Sequence, residues 1–216
     1  MALVMAGARP RMRGVSHRFA FHVALVAGAV LVVCAHDRRT MIATAIYAAL
    51  LAGMFGVSAT LHRSDWSPRA FGWLRRADHA MIFACIAGTY TPLCVLGMPA
   101  PAGMRLFALA WTAAGLGILR AALWPHAPRW ITSVLYVAVG WVAVAYGSDV
   151  RAALAGIELT MLVVGGAWFT VGAFVYLVRR PDPWPSVFGY HEVFHVMIIL
   201  GCACHFVAVA HVAFRQ

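Results

Sequence analysis

Lysine is missing from this sequence altogether, and acids are scarce: 7 Asp and Glu stand against 17 arginines in 216 residues. Charged residues make up 11% of the chain, where a soluble domain carries roughly a quarter. That is too little polar surface to cover a water-soluble globule. The formal net charge of +10 invites a nucleic-acid reading. The arginines argue against it, because they fall in the short gaps between apolar runs and form no basic helix or stripe. No nucleic-acid partner is expected. A disulfide framework is excluded too: the five cysteines (Cys34, Cys85, Cys94, Cys202 and Cys204) are odd in number and lie in or at the ends of apolar runs. Cys202 and Cys204, two apart, would point about 200° away from each other on a helix, so they are expected to pack and not to share a metal. The first apolar stretch, Met1 to Ala8, lacks a charged lead and is short, so no cleavable signal peptide is expected.

What the chain has in abundance is hydrophobic residues, 63% of the total. They gather into seven runs: Phe19–Ala35, Met41–Leu61, Ala80–Met98, Leu106–Trp124, Trp130–Tyr146, Ala152–Val178 and Val193–Phe214. Most reach the ~20 residues that a helix needs to cross a bilayer. The first is short and carries His22; the fourth contains Arg120 close enough to its end to snorkel outward. Proline-rich gaps separate the runs. The fold expected is all-α, an integral membrane bundle of seven transmembrane helices over residues 19–216, preceded by a cytoplasmic N-terminal segment, residues 1–18.

Orientation follows from the arginines. Arg9, Arg11, Arg13, Arg18, Arg63, Arg69, Arg75, Arg76, Arg120, Arg129, Arg179 and Arg180 fall on one side, which makes 12. Arg38, Arg39, Arg105, Arg151 and Arg215 fall on the other, which makes 5. Arginine-rich loops stay cytoplasmic. The N-terminus is therefore expected inside a cell (plasma or inner) membrane and the C-terminus outside, in keeping with an odd number of spans.

Ionisable groups at the rim of a membrane span are costly and mark functional sites. With this topology His62 ends the second helix, Asp78 and His79 open the third, and His191, Glu192 and His195 open the seventh, all on the arginine-rich side. His191 and His195 are four apart, so both imidazoles face one way, and Ser58 and His62 repeat the spacing. Three histidines beside a hydroxyl and a carboxylate match a tetrahedral zinc site with an open, water-bearing position. Any one rim histidine is more often packed against headgroups; it is the convergence of three with Asp78 that favours a metal. Among the rest, His205 is expected to be a hydrogen-bonded core residue and His79 structural. His17, His22, His36, His126 and His211 are assigned no role, and Glu158 is expected to be solvated near the outer end of the sixth span. Gly88-Thr89-Tyr90-Thr91-Pro92 is expected to kink the third helix, with hydroxyls covering the freed carbonyls. His191-Glu192-Val193-Phe194-His195 also reads as HExxH, the zinc signature of metalloproteases, in which the Glu is the general base.

At these residues the sequence resembles the hemolysin III family, part of the wider progestin and adipoQ receptor family that includes the adiponectin receptors. The stretches that carry the resemblance are Ser58-Ala59-Thr60-Leu61-His62, Arg76-Ala77-Asp78-His79 with Ala87-Gly88-Thr89-Tyr90-Thr91-Pro92, and His191-Glu192-Val193-Phe194-His195 with Cys204-His205-Phe206. The resemblance implies that His62, His191 and His195 hold Zn2+, with Ser58 and Asp78 beside the metal-bound water as catalytic groups. It also implies that a residue other than Glu is tolerated at the position of Glu192. Some members resemble alkaline ceramidases, which points to a zinc-dependent hydrolase acting on the amide or ester of a membrane lipid. Asp78, arriving from another helix, is expected to handle the proton, and Ser58 to orient the water or stabilise an oxyanion. A hormone-receptor role is not expected, because the long cytoplasmic extension of the receptor branch is missing. Two alternatives stand beside the hydrolase: an intramembrane metalloprotease using Glu192, and a non-enzymatic zinc-dependent sensor or hemolysin-type protein. A di-iron desaturase needs more histidine pairs than the single HxxxH found here.

Overall fold

The computed structural model describes residues 10–154 and 156–215. Two helices start where a side chain partners one of the first free N–H groups. The second helix, α2 (Arg38–Arg63), follows Asp37, whose carboxylate accepts the Thr40 N–H at 2.8 Å. That bond, with one from the Thr40 hydroxyl, holds the exposed Asp37 carboxyl below the usual carboxylate range. Ser67 caps α3 (Pro68–Gly97), with Pro68 at the first helical position. Between and around them run α1 (Val15–Val33), α4 (Ala100–Leu123), α7 (Gly156–Val178) and α8 (Tyr190–Phe214). The fifth span is composite: α5 (Arg129–Gly140), a 3₁₀ turn (Val142–Tyr146) and α6 (Gly147–Ala153) cross as one. Seven spans are thus long and apolar enough to cross a membrane, and the described residues contain no β-strand.

Hydropathy located the spans but not the helix ends. α1 begins at Val15, inside the segment read as an N-terminal tail, and α3 begins at Pro68, well ahead of Ala80. The added turns of α3 are polar on one side, and Arg76 Nε donates to Ala122 O at 3.1 Å. α8 starts at Tyr190, so His191 and Glu192 lie inside its first turn. Caps and tertiary contacts set these ends, and an average over apolar residues does not register either.

Pro92 sits inside α3. Thr89 and Thr91 hydroxyls donate to Cys85 O and Ala87 O, both at 3.0 Å. Tyr90 does something else. Its hydroxyl donates to Gly140 O at 2.7 Å and accepts the Ala143 N–H at 3.0 Å, and so satisfies the backbone groups freed by the break in the fifth span.

α3 is the central helix. Of its most apolar stretch 67% is buried, against 17% for the fifth and sixth spans, which face outward. Neighbouring spans pair in order from α1 to α4, α7 pairs with α8, and α8 closes back onto α3 and α1. Small residues let the backbones approach: a Cβ at Gly28 would lie 2.8 Å from that of Ala48. Exposed Phe19, Val26, Leu116 and Phe174 form the kind of surface that faces lipid.

At the end of the bundle far from His62 the structure corrects one expectation. Glu158 is fully buried, with Arg215 Nη1 at 2.6 Å and His211 Nδ1 at 2.8 Å. The last turn of α8 delivers both partners, and Arg215 also donates to Ala153 O at 3.1 Å. A carboxylate at a membrane rim is costly unless paired, and these groups pair it.

Candidate metal centre

The C-terminal turn of α2 and the first turns of α1, α3 and α8 meet at one end of the bundle. Three of these helices, α2, α3 and α8, bring together the five residues expected to form a site. The ligand atoms of His62, His191 and His195 all lie within 4.8 Å of one another. His62 Nε2 and His191 Nε2 are 3.2 Å apart. A tetrahedral zinc with Zn–N bonds of about 2.0–2.1 Å places neighbouring ligand nitrogens about 3.3–3.4 Å apart, so the spacing suits zinc. His195 is buried, and its Nδ1 has no hydrogen-bond partner among the described residues. The donor set, three neutral imidazoles, is the kind that zinc takes.

Ser58 and Asp78 lie beside the histidines, and all but His62 line the same cavity. The Ser58 hydroxyl lies beside the Asp78 carboxyl. Glu192 is occupied elsewhere. Its Oε2 accepts the Gly189 N–H at 2.8 Å, the one half of a capping box that a glycine N-cap allows, and its Oε1 lies 2.6 Å from Arg13 Nε. His205 and His79 are held by other contacts. His205 Nε2 contacts Leu162 O at 3.2 Å, deep in the bundle, as a core histidine does. His79 receives the Tyr136 hydroxyl on its backbone oxygen at 3.2 Å, and its Nδ1 is buried with no hydrogen-bond partner among the described residues.

His17 was assigned no role from sequence, yet it belongs here. Its ring stacks on His195, centroids 3.7 Å apart and planes within 8°. Its Nδ1 lies 2.9 Å from Ser58 Oγ. The apolar count placed His17 two residues before the first run, in a tail, and so hid its place on the first turn of α1. One local signal was available: Gly14, which caps α1 with φ 74°, a left-handed conformation that favours glycine. A Cβ there would lie 2.8 Å from the Cβ of His62, so glycine also permits the start of α1 to rest on the end of α2.

A cavity of about 510 Å³ opens from this site into the bundle. Its walls are mostly apolar, and it extends to Tyr47, His205 and Arg151. His191 and His205 both line it and are fourteen residues apart on α8, so it runs about 20 Å along the helix at 1.5 Å per residue.

The fold and this site define a class: a seven-span helical membrane protein with a three-histidine cluster at one end of the bundle and an apolar cavity behind it. The family model described as Haemolysin-III related matches residues 6–206. The chain is 26% identical to Hemolysin-3 of Bacillus cereus over 84% of its length and 82% of the relative's. It is 26% identical to the Hemolysin-3 homolog of Bacillus subtilis, covering 71% of this chain and 69% of that one. It is also 30% identical to the Heptahelical transmembrane protein ADIPOR2 of Oryza sativa subsp. japonica, over 71% of this chain and 74% of the relative. The chain belongs to the haemolysin-III related family, and its likeness to a heptahelical ADIPOR2 protein ties it to the adiponectin-receptor-like group.

Proposed function

We propose that this protein is a zinc-dependent hydrolase that cleaves an amide or ester of a membrane lipid. The observation that carries the reading is the placement of His62, His191 and His195, with Asp78 beside them, at the mouth of a long apolar cavity. A zinc ion bound there supplies a Lewis acid that polarises a carbonyl and lowers the pKa of water. The chain's own residues do the rest. The three imidazoles hold the metal and leave one position open. The apolar cavity takes an acyl chain and sets the linkage at the histidines. An Asp78 carboxylate oxygen takes the proton of the attacking water and returns it to the leaving amine or alcohol, a role that needs only hydrogen-bond reach. Ser58 orients that carboxylate. The metalloprotease alternative requires a free Glu192 carboxylate, and both its oxygens are engaged by Gly189 and Arg13.

The arginine distribution supports a site on the cytoplasmic face of the cell membrane, where a lipid linkage lies at the interface. The test is turnover of lipid amides and esters by the purified protein in vesicles, followed by mass spectrometry with and without a zinc chelator. Release of fatty acid that stops on chelation and in Asp78→Asn is the expected result. Turnover that survives both rejects the reading.

A further inference from the structure

The Ser58 hydroxyl has one proton and two polar neighbours, His17 Nδ1 and the Asp78 carboxyl. An ionised carboxylate only accepts. The serine proton therefore goes to Asp78, and the contact to His17 needs its proton from the imidazole. We propose that His17 is a positioning residue of this site: its Nδ1–H donates to Ser58 Oγ and so turns the serine hydroxyl onto Asp78. Nothing in the HExxH, SxxxH or Asp-His pattern includes this residue.

Two further observations fit. The ring is clamped between Phe55, edge-on at 5.1 Å, and His195, stacked at 3.7 Å, so its nitrogens have little freedom to turn. Only 4% of His17 is exposed, so its ring is held by protein contacts on most of its surface. With Ser58 committed in this way, the Asp78 carboxylate is held from behind and aimed at the histidines. The first span thus becomes part of the site, since α1 contributes the residue that sets the hydroxyl's direction.

The inference about the hydrogen bond stands apart from the hydrolase reading; its consequence for turnover rests on that reading. Nitrogen NMR of histidine-labelled wild-type protein in lipid bilayers tests the first, with His17→Phe identifying the resonance. The Nδ1–H tautomer is expected for His17, and Ser58→Ala is expected to remove its hydrogen-bond shift; an Nε2–H tautomer overturns the proposal. Kinetics test the second. His17→Phe keeps a ring against His195 and loses the donor, so kcat should fall about 10–100-fold, as for other residues that orient a site, with KM and zinc content retained. His17→Asn, which offers an N–H near the position of Nδ1, should recover most of the loss. An Asn variant no better than Phe, or a Phe variant that loses zinc in step with activity, overturns the positioning role. Absence of any turnover in wild type would count against the hydrolase reading and leave the tautomer result to decide the hydrogen bond.

Discussion

Two carboxylates approach this site, and their partners separate their roles. Glu192 has the Gly189 N–H on one oxygen and Arg13 on the other, and is 1% exposed. Asp78 has the Ser58 hydroxyl and an open cavity. Asp78→Asn is therefore expected to abolish lipid hydrolysis while zinc and thermal stability are kept. Glu192→Gln should retain most turnover per folded molecule but lower stability by roughly 1–3 kcal/mol, as expected on weakening a buried charged hydrogen bond. Melting temperature and turnover, measured on both variants, check this, and the reverse pattern favours the metalloprotease reading. The metal gives a second prediction. Wild type should carry about one zinc per chain, and His62→Ala, His191→Ala and His195→Ala should each lower it sharply, because two remaining imidazoles leave a weak site. His205→Ala should keep the metal, since His205 lies about 20 Å along α8 from His191. Elemental analysis decides it: zinc lost from His205→Ala but kept in His62→Ala would refute the ligand set.

At the scale of elements, the break in the fifth span is the least expected feature. A helix interrupted within a membrane frees backbone groups that lipid cannot satisfy. Tyr90 supplies a donor and an acceptor to the same gap, at Gly140 O and Ala143 N. Tyr90→Phe should lower thermal stability by roughly 1–3 kcal/mol by leaving both unpaired, with zinc content unchanged because the gap is remote from the histidines. An unaltered melting temperature would mean that water or lipid headgroups reach the break. Sequence marked Tyr90 as a hydroxyl that covers a carbonyl, and this is what it does, but on another helix from its own. The partner was not legible because the break itself has no proline to announce it. Glu158 fails to be legible for a related reason: its partners, His211 and Arg215, are more than fifty residues away.

For the whole molecule, the charge distribution predicts an orientation. With 12 arginines against 5, the end of the bundle holding His62 and His191 should face the cytoplasm. Reporter fusions in the loop containing Arg69 and after the C-terminus should report opposite sides, the loop inside. A cytoplasmic C-terminus would contradict both the topology and the assignment of the site to the inner face.

The sequence by itself determined the class of solvent, the number of spans and the end of the bundle where the histidines gather. Apolar run length measures bilayer thickness and arginine bias measures orientation, and both are local sums along the chain. It also picked out the three histidines that gather there, because His191 and His195 are one helical turn apart and the Ser58–His62 spacing repeats it. Only the tertiary structure decided what surrounds those ligands: that α1 begins early enough to stack His17 on His195, that Glu192 is tied to Arg13, and that an apolar cavity lies behind the site. These are contacts between segments that no periodicity relates. They depend on how seven helices lean on one another, which is fixed by small residues and ring packing across the seams.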